Sequence, residues 1–386
     1  TPPRAPRCRS REARRNPVRA KQSKAVLCRE WNKPIVVETI TVESPKRGEV
    51  MVKIGACGVC QSDHSATNGT IPLPPPVVLG HEAAGTIYEL GEGVTDLAIG
   101  DTVVVSWVPT CGKCRYCVMG KPQLCDVSAK ATLTLPDGTS RYKDSKGQTL
   151  NHFAGTGVMT EYAALHRDNV IKIDPSIGID KAAIVGCAVM TGAGAALNTA
   201  RVEPGSTCVV FGTGGVGLNT IQGCAIAGAN RIIAVDMSDK KLEFARNFGA
   251  TDTINPSTDG DPVGKIMMMT NGGADYAFEC IGFGSTIAQA YNCVHKGGMA
   301  VVVGVSKPTE VVTLGAFLMP FQEKILTGSM YGGARPSIDF PRLLDLYKSG
   351  RLKLDELVTA TYTIDQAPQA FADLVAGVNA RGVIVF

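Results

Sequence analysis

The pattern of apolar and polar residues divides the chain into two parts. From Ala25 to about residue 185, short β-type runs such as VVETITV and GDTVVVSWV follow one another, separated by glycine and proline. This spacing favours a compact, largely antiparallel, barrel-like domain. Within that part, residues 129–157 are rich in Thr, Gly, Lys and Asp, so we predict a long surface insertion there.

After about residue 189 the pattern changes to strands that alternate with helices. TCVVFG leads to a helix from Gly215, and RIIAVD, DYAFECIG and AVVVGVS continue the series. Repeated βαβ units indicate a parallel, doubly wound sheet of the Rossmann type. We predict an α/β protein in which residues 24–188 and 331–386 form one domain and residues 189–330 the other. The final strand, GVIVF, is expected to return to the first domain.

The composition agrees with a folded chain of two domains. The sequence has 386 residues, of which 44% are hydrophobic and 19% are charged. This apolar content excludes disorder of the whole chain, and the length suits two domains. No segment approaches eighteen uninterrupted apolar residues, so we expect no membrane-spanning helix and no membrane partner.

Positive charge is concentrated at the N-terminus. Residues 1–24 carry nine basic side chains and one acidic residue, Glu12, whereas the whole chain has a net charge of only +4, so the remaining residues sum to −4. We predict that residues 1–23 form a basic, disordered extension. A transit-like leader, a nucleic-acid-binding arm or translated upstream sequence are the alternatives. Because the rest of the chain is acidic, no nucleic-acid partner is expected.

Four cysteines lie within fifteen residues, in CGKCRYCVMGKPQLC: Cys111, Cys114, Cys117 and Cys125. This spacing lets four thiolates on one loop surround a single tetrahedral ion, and soft sulfur ligands select zinc. A closed set of four ligands leaves no position for a substrate, so the predicted site is structural. An iron–sulfur cluster and incidental thiols are the alternatives. Thiolate ligands indicate a reducing compartment, for which we predict the cytoplasm.

A second set of metal ligands is spread over three segments. GACGVCQSDHS supplies Cys60, LGHEAAG supplies His81, and GCAVMTG at the domain junction supplies Cys187. Taken singly, a cysteine or histidine is more often structural. Together, two thiolates and one imidazole leave the fourth position of a zinc ion open, as in catalytic sites. Such a site would activate an alcohol for hydride transfer to a nicotinamide. We therefore predict two zinc ions per chain.

A dinucleotide motif, G-x-G-x-x-G, follows the strand CVVF and consists of Gly212, Gly214 and Gly217. The helix that starts at Gly215 would offer its free N–H groups to the phosphates. Asp236 closes the next strand, where a carboxylate binds the ribose 2′-hydroxyl and would repel a 2′-phosphate, so NAD is predicted rather than NADP. Lys241 is expected to contact the same ribose. The alternative is a glycine-rich turn without a ligand.

Jointly, these motifs resemble the zinc-dependent medium-chain alcohol dehydrogenases over about residues 24–386. The resemblance is carried by the GHE motif at residues 80–82, the four-cysteine lobe, GCAVMTG, the dinucleotide motif and ARGVIVF. LPDGTSRY, FECIG and HKGG are similar to the class III branch, the glutathione-dependent formaldehyde dehydrogenases, and its bacterial relatives. The resemblance implies a GroES-like barrel that binds the catalytic zinc, a Rossmann domain, and a homodimer or homotetramer.

The resemblance also implies roles for further residues. Glu82 would lie behind the metal, Asp63 would hold the imidazole of His81, Ser62 would accept the substrate proton, and Arg381 would contact the cofactor pyrophosphate. Many relatives have a histidine relay at the position of Ser65, and His64, one place earlier, is either a substitute relay or a solvated loop histidine. The basic residue that often follows the first zinc cysteine is here Gln61.

Two departures bear on the substrate. Class III enzymes use an arginine where this chain has Ala129, and the stretch ATNGTIPLPPPVVLG lacks that branch's acidic residues. A glutathione adduct would lose its charged contacts, and IPLPPP suggests an apolar pocket wall. We predict reversible oxidation of a primary alcohol, including aromatic or allylic alcohols, to the aldehyde. The alternatives are a thiol-dependent formaldehyde dehydrogenase acting on S-hydroxymethylglutathione or a similar adduct, either enzyme with a tightly held cofactor, and a non-catalytic protein of this fold. The last is disfavoured because no zinc ligand is missing.

Overall fold

The computed structural model describes residues 20–386, and the predictions that concern residues 1–19 lie outside this range. The first strand, β1 (Lys21–Cys28), starts within the predicted extension. Residues 21–23 pair with the second strand, β2 (Val36–Val42), so the predicted boundary at residue 23 is too late. Residues 21–23 are polar, so the sequence did not indicate that they continue the strand formed by the buried residues Ala25 to Cys28.

The first domain contains eight further strands before residue 173: β3 Glu49–Val59, β4 Val77–Val78, β5 Ala83–Leu90, β6 Thr102–Val105, β7 Tyr142–Lys143, β8 Thr149–His152, β9 Tyr162–His166 and β10 Val170–Lys172. Its helices are short: α1 Gln61–Thr67, α2 Arg115–Val118 and α3 Asp126–Lys130, with 3₁₀ turns at Pro122–Leu124, Phe153–Gly155 and Arg167–Asn169. Strands β1, β2, β7, β8 and β4 close a barrel, and β10, β6, β5 and β3 lie side by side in a second sheet, in which β9 also pairs with β3. The predicted barrel-like domain is confirmed.

The prediction of a surface insertion at residues 129–157 is wrong. Strand β7 pairs with β2 and β8, and β8 pairs with β4, so this segment supplies part of the barrel wall. Arg141, Tyr142 and His152 are fully buried. The polar composition of the segment pointed to the surface. Two of these three side chains are polar, but their polar groups find hydrogen-bond partners inside the protein.

One helical segment, Ile179–Ala200, joins the two domains. It consists of α4 (Ile179–Ile184), a π-helical stretch, α5 (Met190–Gly194) and a second π-helical stretch. By length and composition this segment is long and apolar enough to cross a membrane, but 78% of its apolar window is buried inside the protein. It therefore serves as a core helix of the described chain.

The second domain contains a six-stranded parallel sheet: β11 Thr207–Phe211, β12 Arg231–Val235, β13 Asp252–Ile254, β14 Ala274–Glu279, β15 Val294–Val302 and β16 Ile325–Gly328. Its helices are α6 Gly215–Ala227, α7 Asp239–Arg246, α8 Pro256–Asp259, α9 Pro262–Met269, α10 Gly284–Cys293 and α11 Met319–Gln322, with 3₁₀ turns at Ala316–Leu318 and Met330–Gly333. The strand order is β13-β12-β11-β14-β15-β16. This order, reversing beside β11, is that of dinucleotide-binding sheets, which confirms the predicted Rossmann fold.

The C-terminal segment comprises α12 Pro336–Lys348, β17 Val358–Tyr362, a 3₁₀ turn at Ile364–Gln366, α13 Ala367–Ala376 and β18 Arg381–Val385. Strand β18 pairs with β3 of the first domain and with β17. This pairing brings the beginning of β18 beside the end of β3, where Cys60 follows.

Candidate active site

The structure brings Cys60, His81 and Cys187 together at the inner edge of the first domain. The ligand atoms of these three side chains all lie within 4.8 Å of one another, and all three residues are buried. The Nε2 atom of His81 is 3.2 Å from the Sγ atom of Cys187. Two sulfurs and one imidazole nitrogen converging on one point suit a zinc ion with an open fourth position.

Each ligand is placed by a different element. Cys60 follows β3 directly and caps α1, His81 lies between β4 and β5, and Cys187 lies in the first π-helical stretch. A hydrogen bond with Cys187 lowers the pKa of Cys60 well below the usual value for a thiol. The thiolate, the form that binds metal, is therefore favoured at Cys60.

Asp63 orients the imidazole of His81. Its Oδ2 atom is 3.2 Å from His81 Nδ1, and its Oδ1 atom accepts a hydrogen bond of 2.7 Å from the backbone N–H of Gly80. A carboxylate beside Nδ1 favours a proton on that nitrogen, so Nε2 is the nitrogen that would bind metal, with loss of its own proton. Burial lowers the pKa of His81, but the nearby charges of Asp63 and Cys60 outweigh it, so that this pKa lies above its usual value.

Glu82 and Arg381 form a buried ion pair behind the ligand set. Glu82 Oε1 accepts a hydrogen bond of 3.0 Å from the backbone N–H of Ala188, and its Oε2 pairs with Arg381 Nη2. Burial raises the pKa of Glu82 to about 7, although Arg381 opposes this shift. A side chain at Gly58 would lie only 2.5 Å from Glu82 Oε2, so the pair needs glycine at that position.

Helix α1 carries the residues predicted for proton transfer. Ser62 and His64 are half-buried, and Gln61 is exposed. Burial lowers the pKa of His64. A half-buried histidine with a lowered pKa is neutral near pH 7 and able to accept a proton.

Three aromatic residues that the sequence analysis did not single out surround the metal ligands. The rings of Phe153 and Trp107 lie 5.2 and 6.4 Å from the ring of His81, both edge to face. Tyr331 packs on Trp107 with ring centroids 4.4 Å apart, and its hydroxyl donates to the carbonyl of Gly186, next to Cys187. Sequence spacing gave no indication of these contacts, because the residues come from three separate segments.

The segment IPLPPP packs on the barrel. Ile71 and Leu73 contact its hydrophobic core, and Trp31 Nε1 donates a hydrogen bond of 3.0 Å to the carbonyl of Leu73. Its predicted role as a pocket wall stays a prediction.

The four-cysteine lobe also forms a compact ligand set. The sulfur atoms of its members all lie within 4.8 Å of one another: Cys111, Cys114, Cys117 and Cys125. Backbone N–H groups point at these sulfurs, as in the 3.3 Å contact from Cys114 N to Cys111 Sγ. Hydrogen bonds from the backbone of Cys117 and Asp126 lower the pKa of Cys114 to about 6. Four thiols with N–H donors aimed at them suit a closed zinc site.

The glycine-rich turn between β11 and α6 has the geometry that the motif requires. Gly212 has a φ of +87°, and a side chain at Gly217 would overlap the carbonyl oxygen of Gly212. Above Gly214 a Cβ would meet nothing within 4 Å. The turn is therefore tight, its helix packs closely on the strand, and the space over Gly214 is open to a pyrophosphate.

Asp236 lies directly beside this turn, at the end of β12. Its Oδ2 atom accepts hydrogen bonds of 2.9 and 3.0 Å from the backbone N–H and the hydroxyl of Thr213, and its Oδ1 atom accepts one from Ser238 N. Lys241, in the first turn of α7, is half-buried, and its ammonium lies close to Gly377 at the end of α13. The structure thus places Lys241 against the first domain.

Comparison with known proteins agrees with both halves of the structure. Residues 46–175 match the family described as alcohol dehydrogenase GroES-like domain, and residues 215–349 match the family described as zinc-binding dehydrogenase. The chain belongs to the zinc-binding alcohol dehydrogenases. The predicted family is confirmed.

Three solved structures illustrate the similarity. An alcohol dehydrogenase zinc-binding domain protein from Burkholderia ambifaria is 31% identical with a TM-score of 0.90, covering 95% of this chain and 100% of its own. A benzyl alcohol dehydrogenase from Acinetobacter calcoaceticus is 31% identical with a TM-score of 0.87, covering 95% and 99%. A zinc-binding dehydrogenase from Sinorhizobium meliloti 1021, bound to NADP, is 26% identical with a TM-score of 0.78, covering 95% and 100%.

Proposed function

We propose that this zinc-dependent alcohol dehydrogenase reversibly oxidises primary alcohols, aromatic and allylic ones included, to aldehydes with NAD. The observation that carries the proposal is the position of Arg381. Its guanidinium pairs with Glu82 behind the zinc ligands, and its Cδ atom lies against Gly215 at the start of α6. One side chain therefore touches both the candidate metal site and the cofactor turn, so the two sites adjoin, as direct hydride transfer from a zinc-bound alcohol to the nicotinamide needs.

Cys60, His81 and Cys187 would hold a zinc ion that supplies Lewis acidity, and the glycine-rich turn would hold NAD, which supplies a hydride acceptor. Asp63, beside His81 Nδ1, would fix the orientation of the imidazole so that Nε2 faces the metal. In this proposal Ser62 accepts the hydroxyl proton of the alcohol, and His64 passes it toward solvent.

Trp107 and Phe153 support an apolar, flat substrate. Both rings approach the zinc ligand His81 by their edges or faces, so the surroundings of the metal are aromatic. Aromatic side chains pack well against an aromatic or allylic substrate. The similarity to the benzyl alcohol dehydrogenase from Acinetobacter calcoaceticus supports the same class.

The substrate is tested with purified, zinc-loaded protein by following NADH formation. One series contains benzyl, allylic and straight-chain alcohols, and the other contains formaldehyde with and without glutathione. We expect turnover of the plain alcohols with no stimulation by glutathione. Glutathione-dependent formaldehyde oxidation would instead establish the alternative. If both series are silent, the same assays with an external electron acceptor test for a tightly held cofactor.

The cofactor preference is tested with Asp236→Ala. Asp236 is expected to bind the ribose of NAD and to repel the 2′-phosphate of NADP. The variant should raise the Michaelis constant for NAD and narrow the preference over NADP, by about tenfold in the ratio of kcat/KM values if one hydrogen bond to a charged group is lost. An unchanged ratio would contradict the role of Asp236. Measuring both NAD and NADP is informative because one similar structure is bound to NADP.

We further propose a homodimer or homotetramer formed through the second domain. Strand β16 lies at the edge of the sheet, and Ile325 and Leu326 on it are exposed, as are Phe317 and Phe321 nearby. A sheet edge with exposed apolar side chains favours pairing with another copy. Light scattering on the eluting protein should give twice or four times the chain mass, and a monomer would contradict the proposal.

A cytoplasmic location is proposed on the state of the cysteines. The cysteines in the described part of the chain are free thiols, and seven of them belong to the two ligand sets. Such ligand sets persist in a reducing compartment.

A further inference from the structure

Three loops meet at the carboxyl ends of the central strands of the second domain. They are the glycine-rich turn after β11, the turn at residues 280–284 after β14, and residues 303–305 after β15. In open parallel sheets, ligands bind in the crevice outside these strand ends. The relative position of the three loops therefore decides the shape of the proposed nucleotide site.

Glu279, the last residue of β14, is bonded to two of these loops and is fully buried. Its Oε1 atom accepts hydrogen bonds from Ile281 N at 2.9 Å, Gly282 N at 2.7 Å and Thr286 Oγ1 at 2.8 Å. Its backbone oxygen accepts hydrogen bonds from Val303 N at 2.8 Å and Gly304 N at 2.9 Å. A single residue thus holds the turn after β14 with its side chain and the segment after β15 with its backbone.

The turn held by Glu279 packs against the loop on either side of it. A Cβ at Gly212, the first glycine of the dinucleotide motif, would lie 2.6 Å from Ile281 Cγ1. Gly282 has a φ of +99°, and its Cβ would lie 2.5 Å from the carbonyl oxygen of Val305. Movement of the turn would therefore disturb the glycine-rich turn and residues 303–305 together.

We propose that Glu279 is a positioning residue for the nucleotide cofactor. Its carboxylate fixes the position of residues 280–284. These residues form the wall of the crevice beside Gly212, so the position of that wall depends on Glu279. The inference rests on the proposed nucleotide site. Glu279 Oε1 accepts hydrogen bonds from two N–H groups and one hydroxyl, and charge-assisted hydrogen bonds are the stronger ones. Its other oxygen, Oε2, is buried and has no hydrogen-bond partner in the described part of the chain.

The alternative is that Glu279 stabilises the fold without affecting the cofactor. Asp275, at the opposite end of the same strand, provides a matched control. Its Oδ2 atom accepts a hydrogen bond of 2.7 Å from Thr207 N, and its Oδ1 atom is 3.0 Å from His295 Nε2. Asp275 is thus also a carboxylate that holds a backbone N–H and a side chain, but it lies near the amino end of β14, away from the crevice.

The experiment compares the full-length wild type with Glu279→Ala, Glu279→Gln and Asp275→Asn. For each protein, the Kd for NADH is measured by fluorescence titration, and kcat and the KM for NAD are measured with a saturating alcohol. The melting temperature is measured without cofactor. We expect Glu279→Ala to raise the Kd and the KM by about tenfold or more, since three hydrogen bonds to a charged group are lost. Glu279→Gln, which keeps an accepting oxygen but loses the charge, should raise the Kd and the KM by about threefold.

At saturating NAD, kcat should stay within about twofold in both Glu279 variants, because the metal site is intact. Asp275→Asn should lower the melting temperature without changing the Kd. Unchanged Kd values in the Glu279 variants, or a loss of kcat without a change in Kd, would overturn the inference. If Glu279→Ala does not fold, Glu279→Gln decides: an unchanged KM together with an unchanged Kd contradicts the positioning role, and a threefold rise in both supports it. A wild type that binds no NADH would overturn the proposed cofactor itself.

Discussion

Two cysteines at the end of β3 have opposite environments, although they are only three positions apart. Burial raises the pKa of Cys57 well above the usual value, whereas the hydrogen bond with Cys187 lowers that of Cys60. Cys57 therefore stays a thiol, and its Sγ donates to the carbonyl of Gly58. At the scale of the residue, position decides which of the two is a metal ligand, because Cys60, unlike Cys57, converges with His81 and Cys187.

Replacing Cys60 with serine should abolish turnover while leaving NADH binding largely intact, because the nucleotide site lies in the other domain. We expect activity to fall by at least about 100-fold. Mutation of a residue that merely hydrogen-bonds to a metal ligand already lowers activity or metal affinity by about 10–100-fold. Metal analysis should show one zinc ion fewer per chain. Cys57→Ser is the matched control, and it should keep both zinc ions. Full activity of Cys60→Ser would show that the catalytic site is assigned wrongly.

At the scale of the element, the hairpin of β7 and β8 shows how polar residues are placed in a core. Arg141 is fully buried and forms an ion pair with Glu49 of β3, in which Arg141 Nε is 2.8 Å from Glu49 Oε2. Its guanidinium also donates at 2.7 Å to Asp137. Buried charges of this kind are stable only when they are paired.

Arg141→Met should therefore lower the free energy of unfolding by about 3–5 kcal/mol, because Glu49 is left buried without its partner. The control is Lys143→Met on β7, two positions after Arg141. Lys143 pairs with Glu43 at 2.6 Å, but both side chains are substantially exposed, so the change should stay within about 1 kcal/mol. Denaturant titration measures both variants, and equal effects would contradict the role of the buried pair.

At the scale of the whole molecule, the two domains share a core. One hydrophobic cluster joins Val104 of the first domain, Ala196 of the connecting helix, Leu218 of the second domain and Val383 of β18. Because the apolar surface is continuous, we expect both domains to unfold together.

The stability of the molecule should fall in acid partly through His152. Its Nδ1 atom donates to the carbonyl of Thr156 at 3.1 Å, its Nε2 atom is 3.0 Å from Ser140 Oγ, and burial lowers its pKa to about 4. In the unfolded chain this histidine binds a proton with a pKa near 6.5. The contribution of buried, neutral His152 to the free energy of unfolding is therefore fully present above about pH 6.5 and is lost as the pH falls toward 4. The full loss is about 3 kcal/mol.

Melting temperatures between pH 7 and pH 4 test this expectation. His152→Gln should be less stable than the wild type at pH 7 but should lose less stability on acidification. His166→Gln, at a half-exposed site, should follow the wild type. Any other effect of acid is common to all variants, so the difference between variants isolates His152. Parallel curves for the wild type and His152→Gln would contradict the assignment.

The sequence alone determined the features that depend on short spacings. The four-cysteine lobe and the glycine-rich turn are local, because their residues are brought together within one loop or one strand–turn–helix unit. Apolar periodicity likewise identified the parallel sheet of the second domain. The combined chemistry of Cys60, His81 and Cys187 and the resemblance to the family indicated these three residues as a set. The resemblance also implied Glu82 behind the metal and Arg381 at the pyrophosphate, but not the ion pair between Glu82 and Arg381.

The tertiary structure decided what depends on long-range contacts. The aromatic surroundings of His81 come from three distant segments, and the burial of residues 141–152 depends on the pairing of β7 with β2 and of β8 with β4. The same holds for Arg381, which reaches both Glu82 and Gly215 only because β18 pairs with β3. The chemistry of a side chain is evident from a short segment of sequence. Which distant segments come into contact is determined by strand pairing and by the packing of the shared core.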